Sequence, residues 1–242
     1  MISAEISGNV NERVVRVETY FRLKEQNDKL REQNAYLLSQ LPSGSLLADT
    51  SFLLVKDTIQ TDSLSSFRQF QYFPAKVISN SVFLQQNLIM LHRGSSQGVE
   101  PNMAVVSPDG IVGTVVGVSK NMSTVMSLLH KQSKVIAVMK KGSGLGEISW
   151  DGKDVRFVQL NKIPKTVEIK KGDTVVTSPY SDRFPPGVAI GYVEKVEQDT
   201  ETNTYILKVK TATNFSGLQH AYVVRNLLKE EMDQLQKNQT KE

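Results

Sequence analysis

The stretch RGSSQGVEPNMAVVSPDGIVGTVVGV, from Arg93 to Val118, decides the fold because two incompatible readings compete for it. Gly94-Ser95-Ser96-Gln97-Gly98 matches the Gly-x-Ser-x-Gly pattern of serine hydrolases, and His92 stands two residues ahead of it. A nucleophile elbow needs a strand, a sharp turn and then a helix, so that the serine rises above the sheet at the helix N-terminus. Here NLIML supplies a strand, but Pro101-Asn102 is turn material and the run that follows, MAVVS, is again a strand. The helix is missing. The two glycines read as loop residues that accept positive φ, and Ser95 and Ser96 as part of a hairpin loop.

Working outward, the same texture continues to the C-terminal region. Beyond Pro74, short runs rich in valine, isoleucine and threonine recur between glycine or proline breaks: AKVISNS, NLIMLHRG, MAVVSPDG, IVGTVVGVS, STVMSLLH, KVIAVMKKG, LGEISWDG, DVRFVQL, DTVVTSP, VAIGYVEKVEQ, TYILKVKTA and AYVVRNL. A dozen short strands with turn signals between them predict barrels or sandwiches, not a parallel sheet covered by helices. The opening stretch also has an echo. VEPNMAVVSPDGIVGTVVGV resembles VEIKKGDTVVTSPYSDRFPPGVAIGYVEKV, with Val105 matching Val175, Ser107 matching Ser178 and Gly110 matching Gly187. The offset is the size of a small barrel, so two related barrels in tandem are expected, and unlike strand orders would dispose of the idea.

Upstream the character changes. From Asn9 to Leu41 the chain has neither proline nor glycine, and its charges are mixed. Placing Leu23, Leu30 and Leu37 at heptad position d puts Tyr20, Asn27, Asn34 and Leu41 at position a. So narrow an apolar seam gives a lone helix little to bury. Paired in parallel, the leucines interlock and the asparagines hydrogen-bond across the seam, which favours two strands in one register. The alternative is an amphipathic helix lying on its own domain, where two asparagines on the stripe would be short of partners. Pro42, followed by Ser43-Gly44-Ser45, ends the helix.

Composition narrows the functions. Apolar residues at 39% suffice for a core, and 22% charged residues exclude a fully disordered chain. The +4 net charge is spread out, with no basic helix or interleaved aromatic stripe, which argues against nucleic-acid binding. Without cysteine, and with His92, His130 and His220 isolated from one another, no disulfide, metal site or cofactor is expected. No run of about 18 apolar residues marks a membrane span. Gly142, Gly144 and Gly146 lack the following helix that a phosphate loop uses. The Phe184-Pro185-Pro186 loop reads either as a plug over the end of a barrel or as a partner contact. Trp150, beside the turn WDGKD, is the only tryptophan, too few for a glycan-binding platform.

Taken in order, the coil with EQNDKLREQNAYL, then AKVIS, RGSSQGVEPNMAVVSPDGIVGTVVGVSKNMSTVMSLL, KKGDTVVTSPYSDRFPPGVAIGYVEKVE and AYVV resemble MreC, the rod-shape-determining family of bacterial cell-wall elongation. The resemblance covers nearly the whole chain. It implies a short cytoplasmic tail, one transmembrane helix just upstream of the coil, and β-domains on the periplasmic face of the cytoplasmic membrane. It further implies barrels similar to chymotrypsin-type ones without their catalytic residues, and a non-catalytic scaffold. The implied partners are a second copy, a class B penicillin-binding protein (the elongation transpeptidase), MreD and other elongation-complex proteins. The abrupt start MISAEISGNV fits a chain cut beyond such an anchor. Two features depart from the family pattern: Ser178-Pro179 stands where the family usually has Ser-Gly, and the connector before Pro74 is long.

The expected architecture is therefore mainly β, a coiled-coil helix followed by two small β-barrel-like domains. Its parts are a dimerisation helix over 9–41, a connector over 42–73, a first barrel over 74–155, a second over 156–226 and a short helix with a polar tail over 227–242. Late strands are able to return and complete the first barrel. Two rivals are a periplasmic adaptor of a secretion complex, which would need a second long helix, and a double-barrel serine hydrolase.

Overall fold

The computed structural model describes residues 22–39, 69–141, 144–199 and 202–239. Each of the twelve apolar runs becomes a strand: β1 (Phe70–Asn80), β2 (Gln86–Leu91), β3 (Ala104–Val106), β4 (Ile111–Val118), β5 (Ser123–His130), β6 (Val135–Met139), β7 (Leu145–Ser149), β8 (Phe157–Pro164), β9 (Thr174–Thr177), β10 (Ala189–Asp199), β11 (Thr204–Thr211) and β12 (His220–Asn226). Helix α1 covers 22–39, and α2 runs Lys229–Gln239 with Glu230 and Glu231 in its first turn and Lys237 in its last, complementing the helix dipole. The period of two is plain in β2, where Asn87, Ile89 and Leu91 are buried while Gln86, Leu88 and Met90 face out.

The strands close into two antiparallel barrels, β1-β12-β3-β4-β5-β2 and β10-β11-β8-β7-β6-β9. Traced round, the rings are the same. β7, β8, β9, β10 and β11 take the places of β1 to β5, and β6 takes the place of β12. The tandem echo is therefore structural, though its alignment shifts by one residue. Ser107 donates its N–H to the Gly110 carbonyl at 2.7 Å, and its hydroxyl accepts from the Gly110 N–H at 3.2 Å. Thr177 does the same with Val188, at 2.9 Å in each direction. Thr177, not Ser178, is thus the partner of Ser107, and Val188, not Gly187, that of Gly110. The second glycines also coincide. A Cβ on Gly113 would lie 2.0 Å from the Met126 carbonyl oxygen, and one on Gly191 would lie 2.0 Å from that of Lys210, so both strands need glycine at that crossing.

The expected border at 155/156 moves to the turn between His130 and Val135, because β6 and β7 belong to the second ring. The last strand does return: β12 pairs with β1 and β3 to close the first barrel. It is buried on both faces. Ala221 and Val223 point into the first barrel, whereas Tyr222 and Val224 join the larger core that fills the second barrel and the junction. Fully burying one such valine contributes roughly 1.5–3 kcal/mol.

The first strand starts at Phe70, four residues before Pro74, which sequence reading took as its boundary. Pro74 fits inside because β2 joins β1 only from Val77 onward, and the preceding stretch pairs with β12 alone. On that open side the Tyr72 N–H reaches the Ser39 hydroxyl at 3.4 Å, and Pro74, two residues on, has no N–H to satisfy. The end of α1 thereby covers an unpaired strand edge. Ala35 and Ser39 are buried there, and Leu38 and Tyr72 both pack against the larger core. The helix consequently does lie against its own barrel, over its last turns.

Candidate interaction surfaces

The hydrolase-like residues are tied into a structural loop. Ser95–Gln97 form a single 3-10 turn ending at Gly98 in the left-handed region, with φ 82°. Ser95 and Ser96 donate backbone N–H groups to the Ser119 and Lys120 carbonyls, and the Ser96 hydroxyl donates to the Lys120 carbonyl at 2.7 Å. His92 is exposed, whereas His130 is buried and its Nδ1 accepts from the Gln132 N–H at 3.0 Å. Burial holds the His130 pKa below its usual value. Beside the loop, two guanidiniums lie over the Phe73 ring, Arg93 at 5.4 Å and Arg225 at 5.6 Å from its centroid. Among the described residues, no three histidine or acidic side chains gather as a metal site. Trp150 is buried, with its indole N–H on the Asp154 carbonyl at 3.0 Å, so it forms no platform.

Phe184 is 3% exposed and sits in the larger core, Pro185 is buried beside it and Pro186 is half-buried. The Thr177 hydroxyl holds this loop by donating to the Pro185 carbonyl at 2.5 Å. The Phe184 ring is thus spent on the core, while Pro186 and the neighbouring Arg183 and Gly187 stay at least partly open. The Ser178-Pro179 departure costs no strained backbone: the Ser178 N–H donates to Ile136 at 3.2 Å and its hydroxyl accepts from the Tyr180 N–H at 3.1 Å. Next to the plug, Asp182 pairs with Lys229 at 2.8 Å and fastens α2 to the second barrel. Burial alone would raise the Asp182 carboxyl, but Lys229 and Arg183 outweigh it and hold the group below the usual carboxylate range. A groove of about 380 Å³ opens there, with Glu100, Arg183, Arg225 and Lys229 among its walls. Its cations are already engaged, Arg225 with Glu100 at 2.6 Å and Lys229 also with Asp233 at 2.8 Å.

What remains open is surface. On α1 the docked face carries Ala35, Leu38 and Ser39, while Leu23, Leu30 and Leu37 on another face are 52%, 54% and 59% exposed. Asn34 is exposed, and the Asn27 side chain meanwhile donates to the Leu23 carbonyl. Tyr20 and Leu41 lie outside the described residues. A second apolar surface, which the sequence reading missed, covers the outside of β1, β2, β5 and β4. Ile78, Leu88, Met90, Val116 and Met122 are each between 38% and 45% exposed. At the tip of the β1–β2 hairpin Phe83 is 89% exposed, although the turn beneath it is fixed. Asn87, itself buried, accepts from the Leu84 N–H at 2.9 Å and donates to the Leu129 carbonyl at 2.7 Å.

A helix leading into two barrels of one strand order, closed by a returning strand and bearing open apolar surfaces, defines a double-barrel protein. Residues 77–225 match the family model described as rod shape-determining protein MreC, barrel core. The cell shape-determining protein MreC of Listeria monocytogenes is 30% identical over 223 residues, 91% of this chain and 73% of that protein. Those of Haemophilus influenzae and Escherichia coli are 24% and 26% identical, and the chain spans 57% and 41% of their lengths. The chain belongs to the MreC family. A solved Listeria MreC superposes with a TM-score of 0.61 at 27% identity, covering 87% of this chain and 92% of that one. An MreC from Helicobacter pylori, solved in complex with the penicillin-binding protein PBP2, shares the fold at 21% identity and TM-score 0.54, covering 66% of this chain and 99% of that one. No described helix is long and apolar enough to cross a membrane.

Proposed function

We propose that this chain is a non-catalytic scaffold of the cell-wall elongation complex. It pairs with a second copy through the seam Tyr20, Leu23, Asn27, Leu30, Asn34, Leu37 and Leu41, and its barrels dock a class B penicillin-binding protein on the outer side of the cytoplasmic membrane. The observation that carries this reading is the division of labour on α1. One face is spent on the barrel, and a leucine stripe at heptad spacing is left exposed. The family resemblance adds the membrane anchor, MreD and the transpeptidase. The Helicobacter complex supports the last of these. Fixing α1 to the first barrel gives a parallel pair of coils two barrels at a defined angle, and copies able to repeat the contact would extend it into filaments. Docking then activates the transpeptidase if the scaffold binds its working conformation more tightly than its resting one.

The test is Leu30→Asp combined with Leu37→Asp. Both side chains are exposed in a single copy, so circular dichroism and the thermal midpoint should stay at wild-type values. Sedimentation should show a dimer converted to a monomer, the association weakened at least ~100-fold, about 3 kcal/mol. A variant that sediments as an unchanged dimer removes the seam from the proposal.

A further inference from the structure

The outer face of β1, β2, β5 and β4 has an internal control, the equivalent face of the second barrel. On the first barrel the row across the sheet reads Met90, Thr124 and Val116 or Gly117, and the next reads Leu88, Met126 and Thr114. The second barrel puts Gln159, Lys208 and Lys195 in one such row and Phe157, Lys210 and Tyr192 in the other. In the same strands of the same ring, the second barrel's two rows carry three lysines, together with Gln159, Phe157 and the exposed Tyr192, whereas the first barrel's two rows carry no charge at all. Closing the barrel does not require the apolar side chains. Exposed apolar surface of this kind marks association.

The surrounding charge is as lopsided. No aspartate or glutamate occurs between Gln69 and Val99, nor between Gly110 and Ser133, and those stretches carry Lys76, Arg93, Lys120 and Lys131. The face thus has an apolar centre, cations at its margin and no carboxylate of its own. Three methionines, Met90, Met122 and the half-buried Met126, give it adaptable side chains suited to a protein surface. It lacks the tryptophan and tyrosine that line membrane interfaces. Phe83, presented on a hairpin tip that Asn87 holds rigid, supplies an aromatic anchor ordered before binding.

We infer that this face is the docking surface for the scaffold's protein partner, and that the partner meets it with an apolar patch rimmed by carboxylates. The inference rests on the scaffold reading above and takes the transpeptidase as occupant. It is tested with the whole chain and the purified soluble region of the class B penicillin-binding protein from the same genome, measuring Kd. The variants are Leu88→Asp with Met90→Asp, the rim reversal Lys76→Glu with Lys120→Glu, and a control on the other barrel, Gln159→Asp with Lys208→Asp. All six positions are exposed or half-buried, and circular dichroism verifies that each variant folds. The first pair should weaken binding roughly 30-fold or more and the control by no more than about 3-fold. The rim reversal should lower affinity mainly through a slower association rate, with a reduced response to salt. If the face variants bind like wild type, the inference is overturned while the scaffold reading stands. If wild type itself does not bind, the proposed partner is lost and the inference with it. Face variants that instead turn a dimer into monomers, or that abolish flotation with phosphatidylglycerol vesicles, would assign the face to a second copy or to lipid and overturn the inference.

Discussion

The two barrels share a strand order, a glycine at the same strand crossing and a hydroxyl closing the same turn, yet their outer surfaces have little in common. On the matched strands the first shows leucine, methionine and valine with no charge among them; the second sets lysine and glutamine beside Phe157 and Tyr192. The likeness lies where neighbouring strands constrain one another, and the difference lies where they do not. Interior and crossing positions answer to the fold, because close packing tolerates few alternatives. Exterior positions answer to whatever the surface meets.

The shared features should fail alike when removed. Gly113→Val and Gly191→Val each drive a side chain into a partner-strand carbonyl, and each should cost more than ~4 kcal/mol, leaving little soluble folded protein. Urea unfolding followed by circular dichroism measures it, and a mild effect at only one site would break the equivalence. The turn hydroxyls should sharpen the comparison by differing. Ser107 closes a turn to Gly110 and its hydroxyl serves only near neighbours and Thr213, so Ser107→Ala should cost about 1 kcal/mol. Thr177 holds the backbone at both Pro185 and Val188 across the plug loop, so Thr177→Val should cost about 2–3 kcal/mol in the same assay. The smallest effect belongs to the ion pair that ties α2 to the second barrel. The Asp182 pKa is lowered in the fold, so its contribution is present above the unfolded carboxylate value near ~4 and lost as pH falls through the lowered folded value. The pair is about a third exposed, so the loss should stay below ~1 kcal/mol, and Lys229→Ala should flatten the stability profile below pH ~4.

Much of this was legible beforehand. All twelve strands follow runs of β-branched residues between breaks, because period and turn chemistry are local. The echo was legible for the same reason, but its register was not: Thr177 and Ser178 are both hydroxyl residues, and only hydrogen bonding distinguishes them. Pro74 misled because a strand that lacks a neighbour on one side has no use for the missing donor. The border between barrels was hidden because β5 and β6 are separated by only a tight turn, while which ring each joins is decided by pairing distant in sequence. As for the surfaces, the heptad stripe on α1 could be read from spacing, but its second, barrel-facing side could not. The first barrel's outer face left one signal, the absence of carboxylates across Gln69–Val99 and Gly110–Ser133, which is visible only when acids are counted apart from bases.

The returning strand β12 also sets an order of assembly. A ribosome delivers the strands β1 to β5 first, but they stay an open sheet, since the piece that joins β1 to β3 is made after every other described strand. The second ring, complete by β11, can shut before the first. A polypeptide interrupted after Thr211 would therefore keep its younger barrel whole and its older one gaping along two raw edges, ready to zip onto a stranger.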